Sequence, residues 1–481
     1  KTIGSDPMDD KSRKNIIKVL IVICAAFFVI IGYLSFFEIK YGENLASDPY
    51  NRRNRNKEYE VLRGTIYDRD MNVIADSVRQ EDNSQKRVYK EGYEMAYAPV
   101  IGYYSMKYGT SGLERAYASE LLNADVINPF KLVRDIMTRA ERKGNGLMLT
   151  IDSDLQKAAY DALGNNRGSI VAMNPKTGEI LCMVSKPTFN PSTVDRDWNT
   201  LSKRDEEGVF LNRAIQPGIY PPGSTFKIIV ASEALENISG IETKEYVDKG
   251  YLKIGNYTLN NFNSEAHGRI AMHDALRVSS NVVFGQIGME LGAARLKKGA
   301  EDFYFNKSIP FDIQVSQSYF PSIDESRPDS VAQSSIGQYN VRVTPLQMLL
   351  AVSTIANGGV MMKPVLVKSI VDPYGWDISN AKPSVLSQPI SSETADKVGD
   401  MMVDVVKRGT GKNAIISGVD VAGKTGTADV GEGKNPHSWF VAFMPANDPE
   451  IAIATVVENV AESGGKAASV SRKVLEAYLN K

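Results

Sequence analysis

The strongest feature of the hydropathy pattern lies near the start of the chain. Val19 to Phe37 (VLIVICAAFFVIIGYLSFF) is a run of 19 residues without a charge, and nothing like it recurs downstream. At about 1.5 Å per residue a helix of this length nearly crosses the ~30 Å hydrocarbon layer. Lys11, Arg13, Lys14 and Lys18 precede the run and Lys40 follows it. That asymmetry predicts a cytoplasmic N-terminus at 1–18, a transmembrane helix at 19–37 and an extracytoplasmic remainder. Arg52, Arg53, Arg55 and Lys57 argue mildly the other way, at the edge of the counting window. They read as a solvated face or as a contact to phospholipid or a partner. The run exits through Glu38-Ile39-Lys40-Tyr41 with no small-residue cleavage site, so an uncleaved anchor is expected. KTIGSDP precedes Met8, which is taken as the candidate natural start.

Beyond the anchor the periodicities are those of a mixed protein. Val61 to Ala75 (VLRGTIYDRDMNVIA) alternates as strand, turn and strand, with the turn at Asp68-Arg69-Asp70. Between Tyr103 and Asn123, Leu113, Tyr117 and Leu121 recur at helical spacing. Near residue 148 the texture changes. LMLTI (147–151) reads as a strand, DSDLQKAAYDAL as a helix, and Ser169 to Val184 as a hairpin about Asn174-Pro175-Lys176-Thr177-Gly178. Thr344-Pro345-Leu346-Gln347 predicts a helix start with Thr as N-cap, Pro at the first position and Gln completing a capping box. That helix should stop at Asn357-Gly358-Gly359. Strands are expected at 438–444 and 451–457, and a last helix from Val470 to Leu479. The expected division is a pedestal domain at 38–148 and a larger catalytic domain at 149–481.

Composition narrows the chemistry. The chain has 481 residues, 43% of them apolar, which supports two or three ordered domains. Lys plus Arg number 56 against 57 acidic residues, so bulk charge points to no nucleic-acid partner. Cys24 lies in the apolar run and Cys182 in a strand-like run, so no disulfide is expected. His267, His273 and His437 have no metal-ligand spacing, and neither metal nor cofactor is predicted.

The candidate chemistry begins at Pro221-Pro222-Gly223-Ser224-Thr225-Phe226-Lys227. Pro and Gly force a turn, and Ser224 then stands at a helix N-terminus with Lys227 on the same face, within hydrogen-bonding reach of its hydroxyl. A desolvated lysine beside another cation loses its proton and can serve as the base for a serine nucleophile. Ser-x-x-Lys alone is weak, since about two chance matches are expected in a chain this long. A second copy stands at Ser463-Gly464-Gly465-Lys466, in a glycine-rich stretch read as a loop. Downstream of Ser224 come Ser279-Ser280-Asn281 and then Lys424-Thr425-Gly426-Thr427. Lys176-Thr177-Gly178 repeats part of the last motif, but in a hairpin turn upstream of the serine, where turn chemistry explains it. The ordered set SxxK, SxN and KTG is that of penicillin-binding proteins and class A β-lactamases.

With these motifs the sequence resembles the class B penicillin-binding proteins. RGTIYDRDMNVIA at 63–75, GTSGLERAY at 109–117, SSIGQYNVRVTPLQM and HSWFVAFMP are similar to that family's landmarks. Tyr339-Asn340 stand where the family usually has a glycine, which affects the loop rather than the motifs. The resemblance implies an α/β (α+β) fold with an antiparallel sheet flanked by helices, and a peptidoglycan D,D-transpeptidase. It implies that Ser224 attacks the D-Ala-D-Ala carbonyl of a stem peptide, with Lys227 as base. Ser279 relays a proton, and Asn281 orients Lys227 and the substrate amide. Lys424, Thr425, Gly426 and Thr427 bind the substrate carboxylate side. The backbone N–H groups of Ser224 and Thr427 form the oxyanion hole. It further implies covalent β-lactam binding and a SEDS-family glycosyltransferase as partner. From Gly426 to the end only closing strands and a helix are expected, and a fused glycosyltransferase domain has no room. The alternatives are a β-lactamase or β-lactam sensor of the same fold, and a non-catalytic scaffold for a glycosyltransferase. A class A β-lactamase needs an ExxLN glutamate after SxN, and none follows Asn281; Glu120-Leu121-Leu122-Asn123 lies upstream and reads as helix.

Overall fold

A computed structural model describes residues 10–46, 58–123, 129–138, 141–217, 220–431, 433–460 and 465–480. Met8 and the basic cluster at 52–57 lie outside the described residues. Helix α1 covers Asp10–Ala46. Its stretch Lys14–Phe37 is long and apolar enough to cross a membrane, and none of it packs against the rest of the protein. The helix outruns the uncharged segment at both ends because Lys and Glu are good helix formers.

Strands β1 (Ile66–Tyr67), β2 (Val73–Arg79) and β3 (Gln85–Tyr89) follow. The turn between β1 and β2 is built by Asp68. Its Oδ1 accepts the N–H groups of Asp70 (3.0 Å) and Asn72 (2.8 Å), and its Oδ2 accepts Ser153 Oγ at 2.5 Å. Glu114 is fully buried between Arg63 Nε (2.5 Å) and Arg87 Nε (2.6 Å), an ionic core for this part of the chain. Burial alone would raise the Glu114 pKa, but the charges of Arg87 and Arg63 outweigh it and hold the carboxyl below its usual range. The helical stretch expected after Tyr103 is two short helices, Gly112–Ala116 and Ala118–Leu121, broken at Tyr117. The Tyr117 hydroxyl donates to Asp312 Oδ1 at 2.6 Å.

Further along come β4 (Gly146–Leu149), α2 (Ser153–Leu163), β5 (Gly168–Met173) and β6 (Ile180–Lys186). Asp152 caps α2 by accepting Leu155 N–H at 3.0 Å. Next are α3 (Lys227–Asn237), α4 (Met272–Arg277), α5 (Asn281–Leu291) and α6 (Pro345–Ala356). The chain closes through β7 (Val367–Val371), β8 (Asp377–Asn380), α7 (Ser392–Lys407), β9 (Ala422–Ala428), β10 (His437–Met444), β11 (Ile451–Val457) and α8 (Lys466–Leu479). Helix α8 starts one turn before the expected Val470. At α6, Thr344 Oγ1 accepts Gln347 N–H at 3.1 Å as expected. The capping box does not close, however. Gln347 Nε2 donates to Phe303 O at 2.7 Å, and Thr344 N–H is taken by Ser318 Oγ at 3.1 Å.

The central sheet is antiparallel in the order β9-β10-β11-β5-β6. Its central strands are buried on both faces, so two cores form. On one face Ile170, Ala172, Phe440 and Ile453 meet α2 and α8; on the other Val171, Met173, Trp439 and Ala454 meet the helices that carry the site. This is the expected mixed fold, helices on both sides of an antiparallel sheet. A second sheet, β8-β7-β4-β1-β2-β3, joins the N-terminal hairpin to a segment from beyond α6; in it β1 runs parallel to β4.

Candidate active site

Ser224 sits in a single 3₁₀ turn, Gly223–Phe226, that feeds directly into α3. Gly223 holds φ +53°, and a Cβ there would lie 2.5 Å from Thr427 O. Its N–H donates to Gly337 O at 3.0 Å. Gly337 (φ +71°) is equally confined, because a Cβ would run into the Gly223 carbonyl. Only glycine lets these backbones approach so closely. The Phe226 ring stacks on Phe320 and meets Phe305 edge-on, each with centroids 5.6 Å apart, which anchors the turn in the core. Trp439 Nε1 donates to Pro221 O at 3.1 Å.

Lys227, the first residue of α3, is fully buried. Its Nζ donates to Ser279 O (2.7 Å) and Asn281 Oδ1 (2.8 Å), and lies 3.5 Å from Ser279 Oγ. Among the described residues Ser224 Oγ makes no hydrogen bond, so the serine–lysine hydrogen bond allowed by the sequence spacing is not formed. The amide and carbonyl oxygens of the SxN turn take the amine's protons instead. Burial, and next the charge of Lys424, pull the Lys227 pKa well below the ordinary lysine value; Asp248 acts against them.

Lys424 is also fully buried and reaches the same turn from β9. Its Nζ donates to Ser279 Oγ (2.8 Å) and Thr425 O (2.9 Å), and burial brings it down to about 7. Ser279 itself holds φ +61°, unusual for a non-glycine residue. Ser280 caps α5 by accepting Val283 N–H at 3.0 Å.

Strand β9 is the outer edge of the central sheet and carries Lys424, Thr425, Gly426 and Thr427. Gly426 is closely hemmed, since a Cβ would meet Thr225 Cγ2 at 2.9 Å. Thr425 Oγ1 pairs with Thr410 Oγ1 at 2.6 Å. An edge strand presents backbone groups to an extended peptide, so a substrate strand can lie alongside β9.

The three motifs thus converge, and the decoys do not join them. Lys176-Thr177-Gly178 lies in the β5–β6 turn, where Asn174 Oδ1 accepts Lys176 N–H (2.9 Å) and the Lys176 amine pairs with Asp448. Of the second SxxK, Ser463 and Gly464 lie outside the described residues. Among the described residues no group of three or more His, Cys, Asp or Glu side chains is arranged to hold a metal ion. Sequence reasoning missed Gly337 as a wall of the serine turn, although it lies inside SSIGQYNVRVTPLQM. It also missed Thr410, which no motif marks.

Comparison with known proteins places the whole chain. Residues 168–476 match the penicillin binding protein transpeptidase domain, and 63–147 match the penicillin binding protein A dimerisation domain. The peptidoglycan D,D-transpeptidase PbpA of Mycolicibacterium smegmatis is 33% identical over 96% of this chain and 98% of its own length. The D,D-transpeptidase domain of a peptidoglycan glycosyltransferase from Eggerthella lenta superposes with a TM-score of 0.78 at 36% identity, covering 88% of this chain and 99% of that one. The penicillin G acyl-enzyme complex of penicillin-binding protein A from M. tuberculosis gives 0.79 at 31% identity, covering 87% and 100%. With its motifs brought together around Ser279 and a transpeptidase match over more than half its length, the chain belongs to the penicillin-binding protein transpeptidase family.

Proposed function

We propose that this protein is a membrane-anchored peptidoglycan D,D-transpeptidase that works through an acyl-enzyme at Ser224. The observation that carries the reading is the convergence of two fully buried lysines, Lys227 and Lys424, on Ser279 beneath the Ser224 turn. A neutral lysine amine has two N–H donors and one lone pair. Ser279 O and Asn281 Oδ1 use the two donors of Lys227, which leaves the lone pair for the Ser224 proton.

Ser224 Oγ attacks the carbonyl carbon between the two terminal D-alanines of a stem peptide, and its proton passes to Lys227. The N–H groups of Ser224 and Thr427 receive the oxyanion, worth about 3 kcal/mol per donor. Collapse breaks the C–N bond. The leaving D-alanine amine takes a proton through Ser279 Oγ, which lies against both lysines. The amine of a second stem peptide then attacks the Ser224 ester, forms the cross-link and returns the proton to Ser224. Thr425, Gly426 and Thr427 line the carboxylate side, and the substrate carboxylate favours the charged form of Lys424. A β-lactam acylates Ser224 by the same first step. No cofactor takes part.

Helix α1 serves as the anchor, with 1–18 cytoplasmic and the catalytic part extracytoplasmic near its membrane-borne substrate. Residues 38–148 form the pedestal and 149–481 the transpeptidase unit. A SEDS-family glycosyltransferase is the proposed partner, through α1 and the pedestal.

The test is labelling of the full chain with fluorescent penicillin and mapping of the adduct. Labelling on the Ser224 peptide that disappears in Ser224→Ala is expected. Persistent labelling of that variant refutes the assignment, and rapid release of the adduct points to a β-lactamase instead.

A further inference from the structure

Between α3 and α4 the chain leaves the core and returns as two small ribbons. Glu245–Asp248 pairs with Gly268–Ala271, and Tyr251–Ile254 pairs with Tyr257–Asn260. No step of the reaction uses this excursion, yet it brings a buried carboxylate to the underside of the Ser279-Ser280-Asn281 turn. Asp248 is 1% exposed. Its Oδ2 accepts Ser280 Oγ at 2.6 Å, its Oδ1 accepts Gly250 N–H at 2.8 Å, and both oxygens accept Asn261 Nδ2 at 2.8 Å.

Asn261 passes the order on. Its Oδ1 accepts the N–H groups of Asn281 (2.8 Å) and Val282 (3.0 Å), the first two residues of α5. Its amide also donates to Glu265 O at 2.8 Å, so its orientation is fixed from both sides. Asn281 Nδ2 donates to Asn260 O at 2.8 Å, which turns Asn281 Oδ1 toward Lys227. Ser279, in its left-handed conformation, is the residue whose carbonyl and hydroxyl touch the two lysines. A strained backbone of this kind persists only where its surroundings over-determine it.

We propose that Asp248 and Asn261 are positioning residues for acyl transfer: together they hold the Ser279–Asn281 turn so that its oxygens aim at Lys227 and Lys424. Asp248 has a second effect. Among the described residues two charges act on Lys227: Lys424 from β9, which disfavours its protonated form, and Asp248 from the ribbon, which favours it. From α5 the Phe284 ring, with its centroid 5.5 Å away, and the neutral Asn281 complete the surroundings. The two residues thus act in geometry together and in charge through Asp248 alone.

The proposal rests on the serine acyl-transfer reading, and the experiment separates the two. The rate of acylation by fluorescent penicillin is measured for the full chain in detergent from pH 5 to 9, with melting temperature as the control. Asp248→Asn should lower the alkaline plateau about tenfold or more, as expected for a lost hydrogen bond to a charged acceptor. Its acid limb should also move to lower pH, because the lysine base loses the negative charge that favoured its proton. Asn261→Ala should lower the plateau and leave the limb in place. A purely structural role lowers the plateau of Asp248→Asn without moving its limb, and that result overturns the proposal, as does a plateau within about twofold of wild type in both variants. If Asp248→Asn fails to fold, Ser280→Ala, which removes one hydrogen bond to Asp248 and the cap of α5, decides: about threefold or greater loss of acylation with a melting temperature lowered by no more than the lost cap accounts for, about 2 °C, supports the proposal, and unchanged acylation overturns it. Wild-type protein that does not label refutes the acyl-transfer reading itself.

Discussion

Replacing Lys424 by Met tests whether the site is held in an electrostatically unfavourable state. Lys424 is fully buried, and burial brings its amine to about 7 from an ordinary 10.5. In the unfolded chain the same amine stays protonated until about pH 10.4. Between those values the unfolded state binds more protons than the folded one, so stability rises with pH across the window. Integrating that linkage for this one group from pH 7 to 9 gives about 2 kcal/mol, present in the wild type and absent from Lys424→Met. Methionine keeps the length and apolar character of the stem but leaves Ser279 Oγ and Thr425 O without their donor. The absolute stability of the variant therefore mixes two opposing effects, and the pH slope isolates the one of interest. Groups that titrate alike in both proteins cancel in the difference. Lys227, relieved of its neighbour's charge, shifts so as to enlarge it. At roughly 2 °C per kcal/mol for a chain of this size, the wild-type melting temperature should gain about 4 °C more than the variant's over that interval. Thermal scans of the full chain in detergent at stepped pH provide the measurement. Parallel curves for the two proteins would refute the account of Lys424 as a desolvated amine.

Gly223→Ala places a methyl group 2.5 Å from Thr427 O at a φ of +53°. Acylation of Ser224 should fall about 100-fold, because the serine turn and β9 can no longer close on each other; a labelling rate near wild type would show that this approach is dispensable. Glu114→Gln leaves Arg63 and Arg87 buried without their shared carboxylate, and a loss of about 3–5 kcal/mol is expected at neutral pH. Because the Glu114 pKa is lowered on folding, this contribution is full above about pH 4.3 and disappears as pH falls through the folded value. Melting curves of wild type and variant should therefore converge in acid, and equal stability at pH 7 would contradict the ionic-core reading.

What the sequence made legible was local. The hairpin of β5 and β6, the Asp152 and Thr344 caps and the strands β10 and β11 each follow from a few neighbouring residues. So does Ser224 at the entrance of a helix. What escaped reading depends on residues that meet only after folding. Gln347 has the right spacing for a capping box, but its amide donates to Phe303 O and the Thr344 N–H goes to Ser318 Oγ, both supplied by segments distant in sequence. Thr410 matters because it opposes Thr425 across the end of α7. Asp248 ends one short, half-exposed ribbon strand and Asn261 directly follows another, their hydropathy carries no period, and neither residue belongs to a motif. The parallel pairing of Ile66 with Leu147, and the antiparallel pairing of Leu147 with Ile370, likewise have no local signature.

The proposed chemistry depends on which oxygens surround the lysines. Lys227 and Lys424 donate to Ser279 O, Asn281 Oδ1, Ser279 Oγ and Thr425 O, all of them uncharged. A carboxylate at any of these positions would fix the nearer amine in its charged form and remove the base. The acid nearest in the hydrogen-bond network, Asp248, touches the SxN turn through Ser280 and Asn261 rather than the amines themselves. Among the described residues the site therefore holds two amines and no counter-ion in contact with either. A stem peptide brings that counter-ion as its terminal carboxylate. Once it is seated against β9, the proton of Lys424 is stabilised, and the charge so created presses the Lys227 proton off more firmly. In this arrangement the substrate adds to the electrostatics of its own acylation, and a peptide amidated at its C-terminus should bind without that added push on the Lys227 proton, acylating Ser224 more slowly than the free acid in a stopped-time adduct assay.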